Sequence, residues 1–350
     1  MKVAITGGTG FIGSHTVAAA RASGHEVRML VRDPAKAGRV RKMFGLHEDD
    51  GIEVVRADLE DRGSVDAALV GCDAVIHVAA LFTLDPRYAD EMLRVNPAMA
   101  RTIVQAARAG GLDPIVDVST LGVYQPPPAQ LVTADMPLSP GCGPYTRSKI
   151  AAEEVVRSAQ GEGAPVVTIY PGGVFGPKDP NPGLSDSVKV VRDVLLWRLP
   201  ALPAHAVMPF VDVRDVADLC VAALEPHRGP RRYLFAGHPT QLRGIVREMS
   251  DLTGRRLPML PAPRAVLTMA AAVADTVGKR VSLGLPISSE TIDLILVGVD
   301  HPDARYDGGP ARDEFGLPAR ALRQTLTDTM RWLADAGHVQ PSRIGRLAEG

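Results

Sequence analysis

The sequence has few cysteines and almost no net charge, and each absence excludes a class of protein. Cys72, Cys142 and Cys220 are too few and too scattered to form a disulfide framework or a zinc site. Lysine and arginine number 39 against 40 acidic residues, which gives a formal charge of −1 at pH 7. Since no long basic run is present either, we expect no nucleic-acid partner and no attraction to an anionic membrane.

Long hydrophobic runs are missing as well. The most apolar stretch, residues 265–274, is too short to cross a bilayer. The first residues lead directly into an apolar strand-like segment and do not form the apolar core of a signal peptide. We therefore expect a cytoplasmic protein that keeps its cysteines reduced and has no membrane partner.

Glycine, by contrast, is concentrated near the start of the chain. A predicted strand at 2–5 is followed by Thr-Gly-Gly-Thr-Gly-Phe-Ile-Gly at 6–13 and then by a predicted helix. Gly7 permits a tight turn, Gly10 lets the backbone approach a pyrophosphate, and Gly13 lets the helix lie close to the strand. The N-terminus of that helix offers unpaired N–H groups to phosphates. This strand, turn and helix together predict a dinucleotide-binding site.

Tyr145 and Lys149 are the candidate acid/base pair. They are four residues apart, so on a helix both side chains lie on one face. An ammonium group held near a phenol lowers the pKa of that phenol. The result is a proton donor or acceptor suited to the interconversion of a carbonyl and an alcohol.

The hydrophobic pattern predicts an α/β fold, a Rossmann-type doubly wound parallel sheet with a smaller, mainly helical substrate lobe. A strand and a helix near 210–224 are expected to rejoin the sheet, and 238–338 is expected to be mainly helical. Six earlier segments are predicted strands: 2–6, 26–31, 52–57, 73–79, 114–119 and 165–170. The predicted dinucleotide-binding domain comprises 1–171 and about 206–237, and the predicted substrate-binding lobe comprises about 172–205 and 238–338.

The glycine spacing and the Tyr145-x-x-x-Lys149 pair together resemble the short-chain dehydrogenase/reductase superfamily in its extended branch, the NAD-dependent epimerase/dehydratase family. Within that branch, the segment 27–34 is similar to the dihydroflavonol reductase and 3β-hydroxysteroid dehydrogenase-like group. The resemblance covers essentially the whole chain in the family's order. Further matching positions are 77–80, Asn96, 118–120, 171–177 and 210–217.

The resemblance implies three catalytic roles. Tyr145 is the general acid/base, and Lys149 assists it and also reaches the nicotinamide ribose. A hydroxyl that polarises the substrate carbonyl matches Thr120, with Ser119 as the alternative. Hydride passes directly between the nicotinamide ring and the substrate carbon, so the reaction requires no metal.

The resemblance also implies a set of cofactor-binding residues, including Asp58 at the adenine. We expect NADP(H), with NAD(H) as the weaker candidate, because Val31 replaces the acid of NAD-preferring members and Arg32 offers a forked cationic donor. Asp33 argues against NADP(H), since its carboxylate could bind the ribose diol of NAD(H). The full implied set is Gly7, Gly10, Phe11, Ile12, Gly13, Arg32, Asp58, Leu59, Val78, Ala79, Ala80, Tyr145, Lys149, Pro171, Gly173 and Val174.

The expected function is NADP-dependent hydride transfer between nicotinamide and a mostly apolar ketone or secondary alcohol. Two alternatives stay open: a nucleotide-sugar epimerase or dehydratase, and a non-catalytic NADP-binding sensor. Gly173 counts against a sugar nucleotide because such enzymes usually carry asparagine in that segment, whereas Arg192, Arg198 and Arg214 could bind a phosphate. The predicted substrate wall is Leu81, Phe82, Val123, Tyr124, Val174, Phe175 and Trp197.

The resemblance also suggests a homodimer as a hypothesis. The predicted helices near 89–109 and 145–160 match those that pair in many family members. Ala151, Ala152 and Ala159 are small enough to let two such helices approach closely. The expected partners are therefore a small-molecule substrate and a second copy of the chain.

Overall fold

The structure is a computed structural model that describes residues 1–47, 50–83, 85–199, 201–278 and 289–349. The strands are β1 (Lys2–Thr6), β2 (Glu26–Val31), β3 (Ile52–Arg56), β4 (Ala74–His77), β5 (Ile115–Val118), β6 (Leu131–Val132), β7 (Val166–Pro171), β8 (Gly173–Phe175), β9 (Ala201–Leu202), β10 (Val207–Asp212), β11 (Arg231–Phe235), β12 (His238–Gln241), β13 (Leu260–Pro261) and β14 (Arg305–Tyr306). The helices are α1 (Phe11–Ala22), α2 (Ala37–Phe44), α3 (Arg62–Leu69), α4 (Ala89–Ala109), α5 (Pro144–Gly161), α6 (Asp186–Leu195), α7 (Val213–Ala222), α8 (Leu242–Thr253), α9 (Arg264–Gly278), α10 (Ser289–Asp300), α11 (Gly309–Phe315) and α12 (Leu322–Asp335).

The large sheet has seven parallel strands in the order β3-β2-β1-β4-β5-β7-β11. This order confirms the predicted Rossmann-type doubly wound sheet. The strand order reverses between β1 and β4, which pair through Thr6 and His77 at their carboxyl ends. Ligands of doubly wound sheets bind in the crevice beyond such a reversal, so the glycine turn that follows β1 lies where a dinucleotide is expected.

Alternate residues of the central strands point into two separate cores. In β1, Val3 and Ile5 pack with Val17 of α1 on one face of the sheet, together with residues of α7. Ala4 packs on the other face with α3, α4 and α5, where Ile103 is fully buried. Because both faces are covered by helices, the strands are apolar on both sides, as parallel strands require.

The second half of the sheet differs from the expectation. The strand near residue 210 does not rejoin the large sheet, because β10 pairs with β8 and β12 in a separate three-stranded sheet. The helix that follows, α7, does return and packs beside α1. The seventh strand is β11, whose Tyr233, Leu234 and Phe235 are all buried. Periodicity alone could not decide which of two apolar segments would pair with β7.

A third core lies in the second half of the chain. It joins α6, α8, α12 and β10 through residues such as Val194, Met249 and Met330. The segment that contains α11 does not belong to it, because Ala311 and Phe315 pack against the large sheet. The predicted boundaries placed that segment in the second lobe.

The helices proposed for dimerisation pack against each other within one chain. Ala152 and Ala159 of α5 are buried in the core between α4, α5 and the sheet. These two side chains are therefore not available at a surface for a second copy, and of the three alanines only Ala151 stays partly exposed. The homodimer itself stays a prediction. Over the described ranges, no helix has the length and apolar character needed to cross a bilayer.

Candidate active site

The glycine turn between β1 and α1 is shaped for a ligand at its surface. Gly7 has φ +69°, and a Cβ atom there would lie 2.8 Å from the amide nitrogen of Ala79. A Cβ at Gly13 would lie 2.1 Å from the Gly7 carbonyl oxygen. Gly10 precedes α1 without any side-chain cap, so the first amides of the helix remain available. This bare, positive helix end fits the pyrophosphate of a dinucleotide.

Thr6 fixes the loop after β4 against that turn. Its Oγ1 accepts hydrogen bonds from the amides of Val78 at 3.1 Å and Ala79 at 3.2 Å, and lies 2.8 Å from His77 Nδ1. Burial, with a smaller contribution from the charge of Lys149, lowers the pKa of His77 to about 3. His77 therefore stays neutral at physiological pH, and its ring is the hydrogen-bonding partner of the Thr6 side-chain hydroxyl.

A cavity of about 1050 Å³ runs past the glycine turn and brings most of the predicted site residues together. Two predicted residues do not border it. Pro171 is buried at the end of β7, where it pairs with Phe235 of β11, and Thr120 directs its side chain into a turn. The predicted residues that border the cavity are Gly7, Gly10, Phe11, Ile12, Gly13, Arg32, Asp58, Leu59, Val78, Ala79, Ala80, Ser119, Tyr145, Lys149, Gly173 and Val174.

Tyr145 and Lys149 both lie on α5, as their spacing predicted. The Phe82 ring packs edge-on against the Tyr145 ring, with centroids 4.5 Å apart. Lys149 Nζ donates a hydrogen bond of 3.1 Å to the Val118 carbonyl. Burial, and secondly the Glu290 carboxylate, raise the pKa of Tyr145 well above its usual value. The net shift in the Tyr145 pKa is opposite in direction to the lowering expected from Lys149, whose ammonium is bound to the Val118 carbonyl.

Glu290 is a site residue that the sequence analysis missed. It extends from α10 to the first turn of α5 and accepts hydrogen bonds from the amides of Tyr145 at 3.0 Å and Thr146 at 2.8 Å. No local pattern connects two positions 145 residues apart. The one indication in the sequence was Gly143. A glycine before an uncapped helix leaves space in which a side chain from elsewhere can accept hydrogen bonds from the first amides of that helix.

The structure separates the two candidate hydroxyls. Thr120 Oγ1 accepts a hydrogen bond of 3.1 Å from the Gly122 amide and so caps the short 3-10 helix Leu121–Tyr124. Ser119 Oγ is buried and, among the described residues, has no partner in normal hydrogen-bond geometry. It lies close enough to Glu153 to contribute to the pKa of that carboxyl. Ser119 therefore borders the cavity with a side chain that is directed into the interior.

The far end of the cavity, beside β2 and β3, carries charges of both signs. Arg32 is exposed and makes no ion pair with any other described residue. Asp33 Oδ1 accepts a hydrogen bond of 3.1 Å from the Ala35 amide, which engages it in its own turn. Lys36 also borders the cavity. Asp58 Oδ1 accepts from the Glu60 amide at 3.0 Å, so its side chain holds the turn after β3.

The opposite end of the cavity is walled mainly by apolar side chains of the second half of the chain. Four predicted wall residues border it, and three do not. Val123 and Tyr124 are fully buried in a core with Tyr170, and Trp197 is exposed away from it. The apolar wall comprises Leu81, Phe82, Val174, Phe175, Val191, Val194, Met208, Ile245, Val246, Met249, Leu294 and Ile295.

None of the three arginines considered as phosphate ligands borders the described cavity. Arg192 pairs with the adjacent Asp193 at 2.8 Å, and Arg214 pairs with Asp212 at 2.6 Å. The Asp212 side chain also caps α7, so this pair holds the start of a helix. Both arginines are therefore engaged in structural ion pairs.

Gly173 is closely covered by an aromatic ring. A Cβ at Gly173 would lie 2.9 Å from the ring carbons of Phe210. Phe210 in turn stacks on Phe175 with centroids 4.6 Å apart and an interplanar angle of 18°. A side chain at position 173 would therefore have to displace this aromatic pair.

Comparison with known proteins shows the family to which the chain is similar. The family model described as NAD dependent epimerase/dehydratase family matches residues 3–235. A putative dihydroflavonol 4-reductase from Synechocystis sp. is 27% identical over 345 residues, covering 96% of this chain and 95% of that protein. Sterol demethylase protein B from Methylococcus capsulatus is 27% identical over 344 residues, covering 97% and 100%.

A solved structure shows the same fold. UDP-glucose-4-epimerase from Stenotrophomonas maltophila, crystallised with NAD and formylated UDP-arabinopyranose, superposes with a TM-score of 0.75 at 21% identity, over 97% of this chain and 99% of that one. Together with the family match and the glycine cradle, these similarities identify the chain. It belongs to the NAD-dependent epimerase/dehydratase family and is an NAD(P)-dependent enzyme of the short-chain dehydrogenase/reductase type.

Proposed function

We propose that the protein is an NADP(H)-dependent oxidoreductase that transfers hydride between nicotinamide and a mostly apolar ketone or secondary alcohol. The observation that carries this proposal is the shared cavity, in which Tyr145 and an apolar wall such as Ile245, Met249 and Leu294 border one space. Burial of a substrate against such side chains is favourable by about 25 cal/mol per Å² of apolar area. Convergence of a few polar groups on an apolar pocket is the usual form of a small-molecule site.

Bound NADP(H) supplies the hydride that leaves or joins the substrate carbon. In the reduction direction Tyr145 donates its phenolic proton to the substrate oxygen. Its raised pKa keeps the phenol protonated at neutral pH before the transfer. Thr120 does not border the cavity, so polarising the same oxygen requires its side chain to turn from the Gly122 amide toward the substrate, where its hydroxyl proton can be donated. Ser119 remains the alternative for this role. Lys149, held by Val118, would bind the nicotinamide ribose.

The preference for NADP(H) is supported by Arg32 and its neighbour. Arg32 has an unpaired guanidinium, within the described residues, that can bind a 2′-phosphate through two parallel hydrogen bonds. The objection was that Asp33 could bind the ribose diol instead. Its carboxylate is engaged with the Ala35 amide, which weakens that objection.

A nucleotide-sugar epimerase or dehydratase is the second candidate, because the S. maltophila neighbour was solved with a formylated UDP-sugar. The site argues against it at two points. The Phe210 ring lies where an asparagine at position 173 would extend, and Arg192 and Arg214 are committed to aspartates. We therefore place the apolar carbonyl substrate first.

A substrate panel followed by NADPH absorbance tests the proposal. Aliphatic, aromatic and polycyclic ketones are supplied with NADPH, the matching alcohols with NADP⁺, and UDP- and TDP-sugars with either oxidised cofactor. We expect turnover of apolar carbonyl compounds and faster reaction with NADPH than with NADH. Tight binding of UDP or TDP to the cofactor-loaded enzyme, with no effect of any ketone, would instead establish the sugar-nucleotide candidate.

A further inference from the structure

The N-terminus of α5, which carries Tyr145, is closed by a carboxylate from another helix. Glu290 Oε2 accepts from the Tyr145 amide at 3.0 Å, and Oε1 accepts from the Thr146 amide at 2.8 Å. The Thr146 hydroxyl lies 3.0 Å from the same Oε1. Both carboxylate oxygens of Glu290, which is only 7% exposed, thus accept hydrogen bonds from the first turn of α5. A carboxylate at this place is stabilised by the positive end of α5.

The backbone before Tyr145 is arranged to admit this side chain. Gly143 precedes α5, and a Cβ atom there would lie 2.6 Å from Cδ and 2.7 Å from Cβ of Glu290. Pro144 follows at the first helical position and has no amide that would need a partner. The Gly143-Pro144 pair therefore leaves two amides, those of Tyr145 and Thr146, and Glu290 occupies both.

The helix that carries Glu290 also forms part of the substrate wall. Glu290 lies in the first turn of α10, and Leu294 and Ile295 of the next turn border the cavity. Residues four or five apart on a helix are held at a fixed distance by its geometry. Contact between Glu290 and α5 consequently sets the distance between this wall and the Tyr145 ring.

We propose that Glu290 is a positioning residue that couples the substrate wall on α10 to the acid/base on α5. The interpretation of the effect on kcat rests on the proposed function. The contact between Glu290 and α5 does not depend on which substrate is bound. Without Glu290, the two amides of α5 lose their partners and α10 loses its attachment to the catalytic helix. The reacting groups then sample incorrect distances, while the glycine turn that would bind the cofactor is untouched.

Three variants separate the elements of this role. Glu290→Ala removes the carboxylate and its reach. Glu290→Gln keeps the length and one acceptor oxygen but not the charge, and Glu290→Asp keeps the charge but is one methylene too short to reach both amides. Glu154→Gln is the matched control, because Glu154 is an exposed acid on α5 that lies nine residues beyond Tyr145.

Two measurements are made on each variant after circular dichroism has shown an intact fold. The first is hydrogen exchange of the backbone amides of residues 143–148, measured on the intact protein and read from a proteolytic fragment after exchange. This measurement requires no substrate. The second is kcat together with the Kd for NADPH, using a ketone found in the substrate panel. We expect Glu290→Ala to accelerate exchange in this peptide at least tenfold and to lower kcat by about 10- to 100-fold at unchanged NADPH affinity.

The rescue order decides between reach and charge. We expect Glu290→Gln to recover part of the exchange protection and of kcat, because its one carbonyl oxygen can accept from only one of the two amides. We expect Glu290→Asp to recover less of either. Wild-type exchange and kcat in Glu290→Ala would overturn the proposal, as would a loss confined to NADPH affinity or full recovery by Glu290→Asp. If no ketone is turned over, the proposed function fails, while the exchange measurement still decides whether Glu290 holds the N-terminus of α5.

Discussion

Two helix N-termini border the same cavity, and they differ in whether a side chain caps them. The start of α1 follows Gly10 and has no side-chain cap, so its positive end stays open toward the cavity. The start of α5 is closed by the Glu290 carboxylate. An open end can bind the phosphates of a dinucleotide, whereas a closed end cannot compete for them and holds a side chain in position instead.

The largest expected effect concerns the closed helix end. Tyr145→Phe removes one hydroxyl and keeps the ring that packs against Phe82. We expect kcat to fall by about 10²–10⁴-fold, because the proton donor is lost, while NADPH affinity is nearly unchanged. Lys149→Ala should lower both, since the ammonium is proposed to bind the ribose as well. Steady-state kinetics and a fluorescence titration with NADPH provide the two values. Near-normal kcat in Tyr145→Phe would remove Tyr145 from the mechanism.

The second prediction compares the neighbouring hydroxyls at the end of β5. Thr120→Ala removes a hydroxyl that can donate to the substrate oxygen, and we expect kcat to fall by about 10²–10³-fold. Ser119→Ala removes a buried hydroxyl directed toward Glu153, and we expect kcat to change by less than about threefold, or 0.65 kcal/mol. Each variant is measured with the same ketone. The reverse order of effects would assign the polarising role to Ser119.

The open helix end could be predicted from sequence, and the closed one could not. Gly7, Gly10 and Gly13 lie within seven residues, so their spacing alone describes the turn that they form. The first six strands of the parallel sheet were equally predictable, because each strand and the following helix are contiguous segments, whereas the seventh strand, β11, was not. Glu290 acts on Tyr145 across 145 residues of sequence, and no periodicity indicates such a contact.

The same distinction explains the errors in the predicted substrate wall. Leu81 and Phe82 follow directly from β4 and border the cavity as expected. Val123 and Tyr124 also follow a sheet strand, but the 3-10 helix that Thr120 caps turns them into the core. Ile245 and Leu294, which do line the cavity, come from helices whose placement depends on packing between distant segments. Hydrophobicity identified these residues as apolar but could not say which surface they would face.

The third prediction tests the charged end of the cavity, which lies beside β2 and β3 and contains Arg32. Arg32→Ala should weaken NADP⁺ binding by about 10- to 100-fold, since a charge-assisted hydrogen bond contributes about 1.5–3 kcal/mol. NAD⁺ binding should change by less than about twofold, or 0.4 kcal/mol, because NAD⁺ has no 2′-phosphate. Calorimetric titration of both cofactors provides the comparison. Tighter binding of NAD⁺ than of NADP⁺ by the wild-type protein would contradict the predicted preference.

The fourth prediction concerns the backbone of the open helix end. Gly13→Ala places a Cβ atom 2.1 Å from the Gly7 carbonyl oxygen, so either the turn or α1 must move. Gly38→Ala is the matched control, because a Cβ there meets no atom within 4 Å. We expect Gly13→Ala to lower the free energy of unfolding by about 1–3 kcal/mol, as overpacking does, and to weaken NADPH binding. Gly38→Ala should leave NADPH binding unchanged and should not lower the free energy of unfolding, since alanine favours a helix over glycine by up to about 1 kcal/mol. Denaturant titration and NADPH titration measure the two quantities, and equal results for the two variants would show that α1 does not depend on close approach to the turn.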